Sequence, residues 1–124
     1  RLETPSCGLW RVVTRDTELA GVEIPKGALL MVRFASANRD EAVFAEPESM
    51  DVCRHNAREN LAFGKGVHFC MGAQLSRKEL VVAFAALLER TDNWRLTDGK
   101  NNLQHWPNMI LRGLEELHIQ FDKR

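Results

Sequence analysis

Phe63-Gly64-Lys65-Gly66-Val67-His68-Phe69-Cys70-Met71-Gly72 sets two glycines before a lone cysteine and a third after it, ahead of a strongly helical run from Leu75 to Leu88. Gly64 and Gly66 admit positive φ and let the backbone fold closely against something flat or bulky. Cys70 then falls at the mouth of the following helix, where the partial positive charge of unpaired amides favours a thiolate over a thiol. An anionic sulfur on a tight glycine-rich loop suits a single-point metal ligand. The string has the form Phe-x-x-Gly-x-x-x-Cys-x-Gly, filled by Phe63, Gly66, Cys70 and Gly72.

The rest of the composition bounds the setting. The chain has 124 residues, enough for one small domain with a modest core. Its 17 basic and 17 acidic side chains balance, so charge argues for neither nucleic acid nor an anionic membrane as partner. No run of about 18 apolar residues predicts a membrane span, and no basic-then-apolar leader predicts secretion. Three cysteines at irregular spacing argue against a disulfide framework and for a reducing, cytoplasmic setting. The chain starts at Arg1 without a methionine and reads as a piece of something longer.

In order, residues 1–34 read as a β-rich segment. Leu9 to Thr14 has β-branched strand character, Gly21 centres a tight hairpin in Thr17 to Ile24, and Pro25-Lys26-Gly27 is a turn. Ala28 to Phe34 is a short apolar run that fits a buried strand. Residues 35–61 form an irregular meander, with room for one helical turn in Ser36 to Asp40; so long a connection is functional or strapped down by a partner. The cysteine loop occupies 62–72 and a helix 73–90, apolar on most of its circumference, as a helix inside a larger protein is. Residues 91–124 read as β-hairpins: Trp94 to Leu96, an arm at Asn108 to Arg112 around Gly113, and an alternating, half-exposed Leu117 to Phe121.

The cysteine loop resembles the haem-binding loop of the cytochrome P450 family, and the resemblance runs through essentially the whole chain. It implies an α+β fold, the carboxy-terminal part of the P450 fold, with small β-sheets and one long buried helix after the cysteine loop. It implies haem (iron protoporphyrin IX), with Cys70 as the axial ligand pushing electron density onto the iron for O–O cleavage. Ala37-Asn38-Arg39-Asp40 resembles a string common in bacterial members. Arg1 matches the arginine of the family's Glu-x-x-Arg pair, whose glutamate would precede this chain, and Arg54 the third member of that charge cluster. The surroundings of Arg54 depart from the family's Pro-x-Arg-Phe, reading Pro47-Glu48-Ser49-Met50.

Arg11 and His68 match the donors to the haem propionates, a role that a bidentate guanidinium and an imidazole N–H can fill. The resemblance places Phe63, Gly64 and Gly66 around the ligand loop, with Phe63 as its shield from water. It aims the amides of Met71, Gly72 and Ala73 at the sulfur, tuning the iron. Cys7, Gly8, Leu9 and Trp10, with Ile110 and Leu111, fall where similar proteins line the substrate pocket. The parent would be a soluble bacterial-type monooxygenase acting on a small apolar substrate, with electrons from NAD(P)H through a reductase and a ferredoxin. The acid–alcohol pair that delivers protons lies in a central helix outside this chain, so no catalytic residue is assigned.

Other readings stay open from the residues themselves. Cys70 fits a buried structural cysteine. Cys53, His55, His68 and Cys70 offer zinc-ligand types, at spacings unlike those of zinc fingers. A nucleophilic Cys70 with His68 as base lacks an oxyanion partner. Arg54, Arg58, Lys65, Arg77 and Lys78 fit either a basic docking face for an acidic ferredoxin or a plain solvated surface. The chain also fits a non-enzymatic, haem-free module, and its parent a haem-thiolate peroxygenase or isomerase.

Overall fold

A computed structural model describes all 124 residues, Arg1–Arg124. They form two compact units, Arg1–Ala62 with Asn108–Arg112, and Phe63–Pro107 with Gly113–Arg124.

In the first unit, β1 (Leu9–Val12) pairs antiparallel with β4 (Leu29–Val32), setting Arg11 opposite Leu30. The hairpin β2 (Thr17–Leu19) and β3 (Val22–Ile24) turns on Ala20 and Gly21, with φ of 50° and 81°. Positive φ at both central residues is the type I′ geometry whose twist matches that of the strands. Leu29 and Val32 are exposed, so the strand expected to be buried has only a half-buried centre, Leu30 and Met31. A single helical turn, α1 (Phe34–Ala37), follows, and a 3-10 turn (Ala57–Glu59) interrupts the meander.

The core of this unit is partly polar. Phe44, Asn38 and Thr4 are its largest fully buried side chains. Asn38 Nδ2 donates to Thr4 Oγ1 (2.8 Å), Asn38 Oδ1 accepts the Leu61 N–H (2.6 Å), and Thr4 Oγ1 donates to the Arg1 carbonyl (2.8 Å). Asn38 thus ties the first residues to the segment that leads into the cysteine loop. Asn38→Ala should lower unfolding stability by about 1–3 kcal/mol, because it removes the donor to Thr4 Oγ1 and leaves the half-buried Leu61 N–H without its acceptor. Asn38→Asp should recover only the bond to Leu61, a difference that chemical denaturation of the three proteins would show.

In the second unit, α2 (Ala73–Arg90) runs directly into β5 (Thr91–Leu96), which pairs antiparallel with β6 (Ile119–Lys123). The Thr91 hydroxyl donates to the Leu87 carbonyl (2.6 Å) and accepts from Trp94 Nε1 (2.9 Å), so no loop separates helix from strand. A bulge between Asp92 and Arg95, with Asn93 at φ 52°, absorbs the change of direction. The expected hairpin arm at Asn108 to Arg112 is absent. Leu111 bridges Ser6 instead, and the Cys7 N–H donates to the Ile110 carbonyl (2.6 Å).

The Arg124 guanidinium grips the Asp92 carboxylate through two bonds of 2.5 Å and caps the Leu88 carbonyl (2.9 Å). The hydrogen bonds from Arg124 hold the Asp92 carboxyl below its ordinary value. A depressed carboxyl stabilises the fold above its unfolded pKa and loses that contribution as pH falls through the folded one. Acid should therefore loosen the junction of α2 with β5–β6, and Asp92→Asn should flatten this part of the pH dependence of thermal melting.

The apolar helix expected in the middle of a larger protein is left open by these residues. Only Ala73 of α2 is buried, and Leu80, Val81, Phe84 and Leu88 are each more than half exposed. A helix apolar all the way round needs cover on every side, which a unit of one helix and two paired strands cannot supply. The chain exposes 10254 Å², whereas a self-contained protein of 14.1 kDa exposes about 6,700 Å². No helix is long and apolar enough to cross a membrane.

Candidate functional site

Phe63, Cys70 and the residues between them form a closed loop. The Cys70 N–H donates to the Phe63 carbonyl (2.9 Å), and the Phe69 N–H to the Gly66 carbonyl (3.0 Å). Gly64 and Gly66 sit at φ 70° and 75°, the left-handed region that side chains disfavour. A 3-10 turn, Gly66–His68, carries His68 on its last residue. The rings of Phe63 and Phe69 lie 6.5 Å apart, tilted by 54°. Phe63 is half-buried, whereas Val67, Met71 and Cys70 are exposed. Among these residues Cys70 is a free and exposed thiol.

Gly72 has an ordinary φ of −81°, and a Cβ there would stand at ordinary contact distance, 3.8 Å, from Cys70 Sγ, so neither strain nor space requires glycine among these residues. Of the three amides expected to face the sulfur, that of Ala73 does not: it donates to the Cys70 carbonyl (3.2 Å), as a tightening helix start requires. Cys7, Cys53 and Cys70 are all free thiols. No three His, Cys, Asp or Glu side chains gather to hold an ion, and the zinc alternative has no ligand cluster.

In the first unit, the two stretches expected at a substrate pocket come together. Cys7 and Ile110 share a backbone bond and Ser6 bridges Leu111, while Gly8 is buried with no room for a side chain against the Val32 carbonyl. Leu9, Trp10 and Leu111 are exposed and Cys7 half-buried. Arg11 is exposed on β1 and donates to the Trp10 carbonyl (2.8 Å).

Arg1 and Arg54 also converge. Arg1 donates to the carbonyls of Asn38 (2.8 Å), Pro47 (2.6 Å) and Ser49 (3.1 Å), and Arg54 to those of Ala45 (2.7 Å) and Glu46 (3.1 Å). Both line a recess of about 360 Å³ with Ser49, Met50 and Asp51. Burial, then the Arg54 and Arg39 cations, lowers the Arg1 pKa, with Glu48 opposing. Arg54 Nε is buried without a partner. Arg54 is half-buried and binds carbonyls of its own unit. The larger recess, about 600 Å³, lies against the acidic hairpin and includes Asp16, Glu18 and Glu23, none of the candidate site residues.

The family model for cytochrome P450 matches residues 1–120. The chain belongs to the cytochrome P450 family. It is 42% identical over 121 residues to a steroid C26-monooxygenase of Mycobacterium tuberculosis (strain CDC 1551 / Oshkosh), covering 98% of this chain and 32% of that P450. It is 44% identical over 112 residues to the 20-oxo-5-O-mycaminosyltylactone 23-monooxygenase of Streptomyces fradiae, covering 90% of this chain and 26% of the relative. Substrate-free P450 CYP150A6 of Mycobacterium marinum superposes with a TM-score of 0.95 at 33% identity, over 99% of this chain and 32% of that one. The chain thus spans about a third of the length of such P450 relatives, and its α+β architecture is theirs.

The family implies a haem cofactor, and the donor set here fits one. A single thiol on a glycine-shaped loop would suit an iron that takes its four nitrogen ligands from the porphyrin. Two features of the site escaped the sequence. The Thr4–Asn38–Leu61 network had only the Ala-Asn-Arg-Asp string as a signal. The Arg77 guanidinium, 4.8 Å above the Phe63 ring, had none, because sequence spacing does not reveal a contact between a loop and the helix after it.

Proposed function

We propose that this chain is the carboxy-terminal portion of a haem-thiolate monooxygenase, with Cys70 as the axial ligand. The observation that carries the reading is an exposed thiol on a loop closed by the Phe63–Cys70 hydrogen bond and shaped by left-handed Gly64 and Gly66. When bound, the haem would supply the insertion of one oxygen atom of O₂ into an apolar C–H or C=C bond. The protein's part is to hold and surround it. Cys70 gives the sulfur, and Phe63 and Phe69 flank the loop with apolar rings. His68, and Arg11 on β1, would each be a donor to a haem propionate. Met71 and Gly72 add their amides on the sulfur side.

Cys7, Leu9, Trp10, Ile110 and Leu111 contribute to the pocket for a small apolar substrate. The Cys7–Ile110 bond, which joins the two stretches, supports that assignment. Electrons come from NAD(P)H through a reductase and a ferredoxin, in the cytoplasm. The exposed Lys65 and Lys78 would offer such an acidic carrier basic charge. The 124 residues by themselves are inactive, a reading that the open surface of α2 supports.

An absorption spectrum of the chain, haem added, reduced and exposed to carbon monoxide, tests the ligand. A strongly red-shifted Soret band is expected for a thiolate. An imidazole-like band would remove Cys70 as ligand, and absence of haem uptake would mark these residues as needing the remainder of a P450.

A further inference from the structure

Phe63 is held from two sides. Its ring meets that of Phe69, and the guanidinium of Arg77, in the second turn of α2, stands 4.8 Å from the ring centre. That separation lies inside the range in which a cation is drawn to an aromatic face. Arg77 makes no hydrogen bond or ion pair, so the ring is the partner its charge has. The same Phe63 supplies the carbonyl that accepts the Cys70 N–H. Between the clamped ring and the cysteine, the chain passes through two left-handed glycines, which give the backbone little stiffness of their own.

We infer that Arg77 is a positioning residue for the sulfur ligand, acting through the ring of Phe63. By pinning the ring to α2, it fixes the Phe63 carbonyl and hence the backbone of Cys70, which the glycines would otherwise leave loose. Phe63 and Cys70 are thereby referred to one rigid element, the helix that starts just after the sulfur. The charge of Arg77 is spent inside the loop and not on an incoming carrier. The inference rests on the reading of Cys70 as the haem ligand.

The test uses the full-length haem-loaded protein that contains these residues, with haem loss to an excess of apo-globin as the readout. Arg77→Gln should speed haem loss about two- to fivefold, the size of an exposed cation–π contact, while Arg77→Lys, which keeps the charge, should restore part of the retention. Phe63→Leu should speed loss at least as much. In the Phe63→Leu background, Arg77→Gln should add nothing. Unchanged haem loss in Arg77→Gln, or effects that multiply in the double variant, would overturn the inference. So would a defect confined to reduction by the carrier, since that is the mark of a docking residue. Arg77 is exposed, so its replacement should leave far-ultraviolet ellipticity unchanged. Failure of the ligand reading shows separately, as the absence of a red-shifted band in the unsubstituted protein.

Discussion

Replacing Cys70 by serine should abolish the red-shifted Soret band of the reduced, carbon monoxide-bound protein, while Cys7→Ser and Cys53→Ser leave it in place. The three thiols are equally free of disulfides, so the comparison isolates position from chemistry. Cys70 alone sits on a loop closed by a hydrogen bond from its own amide and opened by left-handed glycines. A serine hydroxyl has the size of the thiol but neither its acidity nor its soft sulfur, so the iron loses its electron-rich ligand. Haem affinity should fall by more than the roughly 10- to 100-fold that loss of an outer-shell partner costs a metal site. A red-shifted band surviving in Cys70→Ser would assign the sulfur elsewhere, and one lost in Cys7→Ser would point to the first unit.

The second large effect is structural. Phe44 is 1% exposed and is the largest fully buried side chain. The Arg1 guanidinium lies 5.1 Å from its ring centre. Phe44→Ala should cost about 3–5 kcal/mol through lost burial and the cavity left behind. The cation over the ring adds roughly 0.5–1 kcal/mol. Against a domain stability of about 5–15 kcal/mol, that is enough to unfold the meander at modest denaturant. Val67→Ala, at a side chain 98% exposed, is the control and should move the midpoint hardly at all. Equal midpoints for the two variants would show that Phe44 is not the anchor of its unit.

Much of this molecule is local chemistry, and local chemistry is what a sequence displays. Gly64 and Gly66 needed positive φ, and Gly21 a tight turn, for reasons internal to a few residues. The long helix showed in its apolar run and ended one residue before Thr91, whose hydroxyl caps it. Less legible were the elements whose partners lie far along the chain. Asn108 to Arg112 reads as a hairpin arm around Gly113, yet its bonds go to Pro5 and Cys7, a pairing that no local period encodes. The burial expected for β4 failed, and α2 stays open as its apolar circumference implied, for one reason: apolarity says that a face seeks cover, not that these residues contain it.

The sequence by itself determined the family, the cysteine loop and the helix behind it, because the glycines, the aromatic and the sulfur must recur at fixed short spacings to shape one turn. Only the tertiary structure decided how the elements within each unit are tied together. Asn38 reaching Leu61, Arg1 and Arg54 meeting on one run of carbonyls, and Arg77 settling on Phe63 are contacts between residues far apart in the chain. Such contacts depend on where whole elements come to rest, and only the packed chain sets that.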